Sequence, residues 1–138
     1  MITCLADQLK RDEGFRAHPY TDTVGKLTIG YGRNLTDVGI SDLEAQALLA
    51  TDIAMAESDL EAALPWTAGL DEVRRGCLLN MTFNMGVGGV CQFKEMLAAC
   101  AVGDYSGASQ QMLASKWAEQ VGPRAQRLAI QMESGQWQ

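Results

Sequence analysis

Glu13, Asp22 and Thr28 lie within one short stretch near the N-terminus, DEGFRAHPYTDTVGKLTIGYG. Two carboxylates on either side of a bend suit hydrolysis of a glycosidic bond, which commonly uses one protonated acid and one ionised partner flanking the scissile bond. Glu13, at the end of a helix and against apolar neighbours, is placed to have its pKa raised and to serve as the acid. Asp22, between Thr21 and Thr23 in a polar turn, stays ionised more easily. Acids beside helix ends and turns are also commonplace caps and solvated groups, so the pair alone does not define a site. The segment GKLTIGYG adds to it. Alternation puts Thr28, Gly30, Gly32 and Asn34 on one face of an extended run, with Leu27, Ile29 and Tyr31 on the other. A face of hydroxyl, glycines and amide packs poorly but leaves room for a sugar to lie against backbone. The glycines equally suit a bulge or a tight bend.

These residues need elements to hold them. Ile2, Leu5, Ala6 and Leu9 fall at helical spacing and Gly14 follows as a stop, which predicts a helix over residues 1–13. Pro19 forbids helix and biases His18 toward extended backbone. Residues 15–20 and 27–31 then read as two strands of a small hairpin, joined by the bend 21–26 with Gly25 as its turn residue. Ser41 and Glu44 form a capping box, and Pro65 closes the run they open. This predicts a connecting helix over about 41–64, roughly 35 Å long at 1.5 Å per residue. Four more helix-like stretches follow, LDEVRRGCLLNMTFNMG, VCQFKEMLAACAVG, YSGASQQMLASKW and GPRAQRLAIQMESG, separated by Gly and Pro signals. The first, apolar on most sides, is the expected core helix. The architecture is α+β and mainly helical, with a small antiparallel sheet lobe over about 14–40 and a helical lobe over about 65–138.

The chain has 138 residues and a mass of 14.9 kDa, enough for one lobed domain over 1–138. A net charge of −6 argues against a nucleic-acid binder, which needs a basic stripe to neutralise phosphates. Asp52, Asn80 and Asn84 interrupt the best apolar runs, so no membrane insertion is expected. The start MITCLADQLKRDEG lacks a basic segment followed by an apolar one, and the chain is expected to stay where it is made. Cys4, Cys77, Cys91 and Cys100 read as reduced, mostly buried thiols. No C-x-x-C pair occurs and His18 stands alone, so neither a metal nor another cofactor is expected.

The ordered set Glu13-Gly14-Phe15-Arg16, then Tyr20, Asp22, Thr23 and Gly25, then Thr28-Ile29-Gly30 and Gly32, resembles the phage-type lysozymes of glycoside hydrolase family 24. The resemblance continues through DEVRRGCLLNMTFNMG, SKWAEQVGPRAQR and SGQW, almost the whole chain. It implies a lysozyme-like fold and a muramidase that cleaves the β-1,4 bond between N-acetylmuramic acid and N-acetylglucosamine in bacterial peptidoglycan. It implies Glu13 as general acid, with Asp22 and Thr28 holding and activating the attacking water. The family's usual outcome is inversion, with carboxyl groups roughly 6.5 to 9.5 Å apart. The implied substrate-binding residues are Asn34, Phe83 and Arg124, the last pairing with the catalytic glutamate. On their own surroundings, Arg124 equally suits a solvated helix start and Phe83 a core aromatic. An endolysin of this kind, a monomer, waits in the host cytoplasm and relies on a separate holin-type membrane permeabiliser to reach the wall.

The resemblance has departures. The loop RNLTDVG is shorter than in the T-even members of the family, so fewer sugar contacts are expected from the small lobe. Arg33 stands where those members carry a histidine, and Asp52 is its expected ion-pair partner. Met96 and Gln111 match the family's binding positions poorly. The acidic balance opposes long-range attraction to an anionic wall, with Arg16, Arg33, Arg124 and Arg127 as the cations available to offset it. A noncatalytic peptidoglycan-binding or tail-assembly module of the same fold is the other reading, but it has no chemical need for Glu13, Asp22 and Thr28 together.

Overall fold

The computed structural model describes residues 1–138 throughout. Its elements are α1 (Leu5–Glu13), β1 (Arg16–Thr21), β2 (Leu27–Gly30), β3 (Arg33–Asn34), α2 (Asp42–Ala63), α3 (Glu72–Cys91), α4 (Lys94–Ala101), α5 (Tyr105–Leu113), α6 (Lys116–Val121) and α7 (Pro123–Ser134). The fold is α+β and mainly helical, with one antiparallel sheet in the order β1-β2-β3. Two compact units divide the chain, Met1–Leu48 and Leu49–Gln138, and the division falls inside α2.

In the first unit α1 ends as expected. Gly14 takes φ 69° and returns its N–H to the Lys10 carbonyl at 3.0 Å, a backbone state that a residue without Cβ adopts cheaply. Pro19 has no N–H for a ladder and so belongs on an edge strand. β1 is that edge, and its pairing with β2 steps from Arg16 opposite Gly30 to Tyr20 opposite Thr28 across an irregularity.

The single extended run expected through Asn34 does not form. The chain reverses at Gly30, Tyr31 and Gly32, where the glycines take φ 69° and 80°. The return strand β3 sets Asn34 opposite Thr28 and Arg33 opposite Ile29. Thr28 and Asn34 do share a face, because directly opposed residues of antiparallel strands point the same way, but they reach it by cross-strand pairing. A two-residue strand is too short to show any period, which is why only a hairpin is readable from sequence.

The capping box opens α2 as expected: the Ser41 N–H donates to Glu44 Oε1 at 2.9 Å and the Glu44 N–H to Ser41 Oγ at 3.2 Å. Arg33 departs from expectation. Its guanidinium takes Glu44, with Nη2 to Oε2 at 2.6 Å and Nη1 to Oε1 at 2.8 Å, and Nη1 also donates to the Gly39 carbonyl at 3.1 Å. The cap already fixes the Glu44 carboxylate, so a forked guanidinium can engage both oxygens without ordering another flexible acid such as Asp52.

The second unit holds the apolar core. Leu60, Leu78, Met81, Met112 and Met132 are fully buried, and the thioethers suit irregular gaps between helices. α2 ends at Ala63, and Pro65–Gly69 form a 3-10 turn. At Gly86, φ 79° and ψ 159° break the helical path inside α3, where a full stop was expected. The stretch YSGASQQMLASKW, read as one helix, is split at Ser115. Its hydroxyl donates to the Met112 carbonyl at 2.6 Å and accepts the Ala118 N–H at 3.2 Å, capping α6.

Arg74 finishes α7. Nε donates to the Met132 carbonyl at 2.6 Å and Nη2 to the Glu133 carbonyl at 2.9 Å, while the guanidinium lies 3.8 Å from the centroid of Tyr105. A cation on the last carbonyls complements the negative end of the helix. All four thiols are free. Cys77 and Cys100 are buried and Cys91 half-buried, but Cys4 is exposed at the start of α1, where no apolar layer covers it. Burial pushes Cys77 up to about 12 and Cys100 up to about 11. No helix is long and apolar enough to cross a membrane.

Candidate active site

Glu13 is the last residue of α1, and the Gly14 turn that stops the helix leads directly into β1. Its carboxylate lies against the β2–β3 turn: a Cβ built on Gly32 would sit 2.8 Å from Glu13 Oε2 and 3.1 Å from its carboxyl carbon. Gly32 is therefore required twice, for its φ of 80° and for the space the acid occupies. The apolar surround expected for Glu13 is not supplied by the first unit, where the residue is exposed.

Asp22 heads the β1–β2 turn. Its Oδ1 accepts the N–H groups of Val24 at 2.9 Å and Lys26 at 2.8 Å, an arrangement in which a short carboxylate mimics a backbone carbonyl. Its own N–H donates to the Lys26 carbonyl at 2.9 Å, and Gly25, with φ 84°, closes the turn. Oδ2 is left without a protein partner.

Thr28, two residues beyond Lys26 in the central strand, is only 4% exposed, and its Oγ1 donates to the same Lys26 carbonyl at 3.0 Å. A hydroxyl has one proton. With that proton committed, Thr28 presents lone pairs only. The peptide groups of one residue thus fix both side chains, and each is left as an acceptor.

Asn34 belongs to a second layer around this turn. Its Oδ1 accepts the Asp37 N–H at 2.9 Å and its Nδ2 donates to Asp37 Oδ2 at 3.1 Å. Asp37 also pairs with Lys26 Nζ at 3.1 Å. Thr36 Oγ1 accepts the Leu27 N–H at 2.9 Å, and the Leu35 N–H donates to the Leu27 carbonyl at 2.7 Å. Sequence reading passed over Lys26 and Asp37. The available signal was the N-x-x-D spacing, which lets an asparagine side chain cap the backbone three residues on.

Phe83 and Arg124 come together in the second unit. Both line an open groove of about 530 Å³ that also includes Ile53, Arg75, Asn80 and Trp137. Phe83 is half exposed rather than core. Arg124 is oriented by Asn80, whose Oδ1 accepts from Nε at 3.0 Å and Nη2 at 2.7 Å. Met96 and Gln111 line a separate cleft of about 340 Å³ with Phe93 and Trp117. Trp117 is fixed there by its Nε1–H to Asn84 Oδ1 at 2.9 Å and an edge-on contact with Phe93.

The α+β fold suits a glycoside hydrolase of the lysozyme class, and comparison with known proteins gives that class. The phage lysozyme family model matches residues 10–132, and the chain belongs to that family. It is 27% identical to a probable T4-type lysozyme of Dictyostelium discoideum over 98% of this chain and 96% of that one. It is 32% identical to an endolysin of Acyrthosiphon pisum secondary endosymbiont phage 1, covering 80% of this chain and 75% of the relative. It is also 30% identical to the pre-baseplate central spike protein Gp5 of Enterobacteria phage T4 over 95% of this chain, yet it spans only 28% of that protein.

Proposed function

We propose that this chain, as a single lysozyme domain over 1–138, hydrolyses the β-1,4 bond between N-acetylmuramic acid and N-acetylglucosamine with inversion at the anomeric carbon. Glu13 donates its proton to the glycosidic oxygen as that bond breaks. A water donates one hydrogen to Asp22 Oδ2 and the other to Thr28 Oγ1, which leaves a lone pair for the opposite face of the sugar. Its oxygen bonds to the anomeric carbon, and Asp22 takes the released proton. The single observation behind this reading is the Lys26 carbonyl, which accepts from Thr28 Oγ1 at 3.0 Å and leaves that hydroxyl able only to accept. Phe83 offers an apolar face to a sugar ring and Arg124 a charge to the substrate, both held within the second unit. The protein acts as a monomer in phage-induced lysis, waiting in the host cytoplasm until a holin-type partner opens the membrane; similarity to an endolysin supports the lytic role.

Turbidity loss of purified peptidoglycan tests the assignment. Glu13→Gln and Asp22→Asn should each lose at least about a hundredfold in rate, the usual worth of a positioned acid or base. Full activity in either variant removes that residue from its role. The anomer formed first, followed by NMR, decides between inversion and retention. Similarity to part of a central spike protein favours a second reading, a tail-assembly module. Wild-type protein that binds peptidoglycan without cleaving it would select that reading.

A further inference from the structure

The loop of residues 34–37 has no part in the reaction just described, yet four polar contacts tie it to Leu27 and to Lys26, the residue that organises the water-holding pair. Lys26 is the common anchor: its N–H holds Asp22 Oδ1 at 2.8 Å, and its carbonyl holds the Thr28 hydroxyl at 3.0 Å. Its side chain reaches away from that pair to Asp37, with Nζ at 3.1 Å from Oδ2 and 3.2 Å from Oδ1. Asp37 is itself fixed at both ends by Asn34. The next residue, Leu27, is gripped on both sides, its N–H by Thr36 Oγ1 at 2.9 Å and its carbonyl by the Leu35 N–H at 2.7 Å.

We propose that Asp37 and Lys26 are positioning residues for the hydrolytic water, and that the loop of residues 34–37 is a clamp setting the Lys26 peptide, through it Asp22 and Thr28. This rests on the reaction proposed above. The Lys26–Asp37 pair is surface-exposed, with side chains 38% and 52% accessible, so it contributes little to folding stability. Its effect lies in placement: a catalytic group displaced by about 1 Å can lose about a hundredfold in rate. A clamp acting on water alone leaves the sugar contacts intact, so kcat should fall while KM holds.

Asp37→Ala and Lys26→Met test this in the full chain, with Lys26→Arg as the conservative control. Each disruptive variant should lower kcat about tenfold with KM and melting temperature close to wild type, and Lys26→Arg should restore most of it. Amide hydrogen exchange supplies a readout independent of activity. The Val24 and Lys26 N–H groups, both bonded to Asp22 Oδ1, should exchange at least about tenfold faster in Asp37→Ala. Unchanged exchange overturns the clamp whether or not the protein is lytic. Faster exchange with unchanged kcat overturns its catalytic role, while loss of activity in Glu13→Gln alongside it would leave the lytic reading standing. A fall in KM-limited binding equal to the fall in kcat would also overturn it, because substrate contacts would then be what changed.

Discussion

At the residue scale the spacing of glycines around Glu13 carries more than turn geometry. Gly32 is where the acid rests, and Gly32→Ala brings a Cβ within 2.8 Å of its carboxylate at a φ of 80°. A side chain in that backbone region costs about 1–3 kcal/mol, and the acid must move as well. The variant should therefore melt earlier and lose at least about tenfold in peptidoglycan hydrolysis, measured by calorimetry and turbidity together. The roles of Glu13, Asp22 and Thr28 were suggested by residue type and order. What order could not give was Lys26 as the shared anchor of Asp22 and Thr28, because a backbone carbonyl has no signature in sequence. Asn34 shows the converse: it shares the Thr28 face, but by cross-strand pairing after the chain reverses at Gly30 and Gly32 rather than along one extended run, and its amide is engaged locally by Asp37.

Among the elements, the join of β3 to α2 concentrates the strongest charge contacts of the first unit. Glu44 is held down to about 2, by the Arg33 guanidinium foremost and then by the backbone and hydroxyl of Ser41. A carboxylate depressed in the folded state stabilises above its unfolded pKa, near 4.5, and that contribution fades as pH falls toward about 2. Glu44→Gln should thus melt below wild type at neutral pH, with the difference shrinking between about pH 4.5 and 2. Melting curves across that window check it, and added salt should narrow the gap because the pair is exposed. The capping box, the Gly14 stop and the Pro65 stop were all legible, since each is a local hydrogen-bond or steric requirement. The Ser115 break inside an otherwise helical stretch was not, because serine is tolerated mid-helix and only its bonds to Met112 and Ala118 mark it as a cap.

Across the whole molecule, charge sets how the protein meets its substrate. A net −6 opposes approach to an anionic wall over distances that salt screens to about 8–10 Å at physiological strength. Lysis of whole cells should accordingly rise as salt is increased from low values toward about 0.15 M, the reverse of what a strongly cationic enzyme shows. Rates on short uncharged oligosaccharides should stay flat. Turbidity series at several ionic strengths, run with both substrates, measure the two responses.

The fully buried methionines and leucines all belong to the second unit, whereas Thr28 is the single buried residue among the first 48. The groups proposed to react therefore ride on the part of the chain with the least packing of its own. Warming should silence the chemistry while ellipticity from the later helices is still intact. Inactivation and denaturation would then be two events, and the more fragile one would govern shelf life.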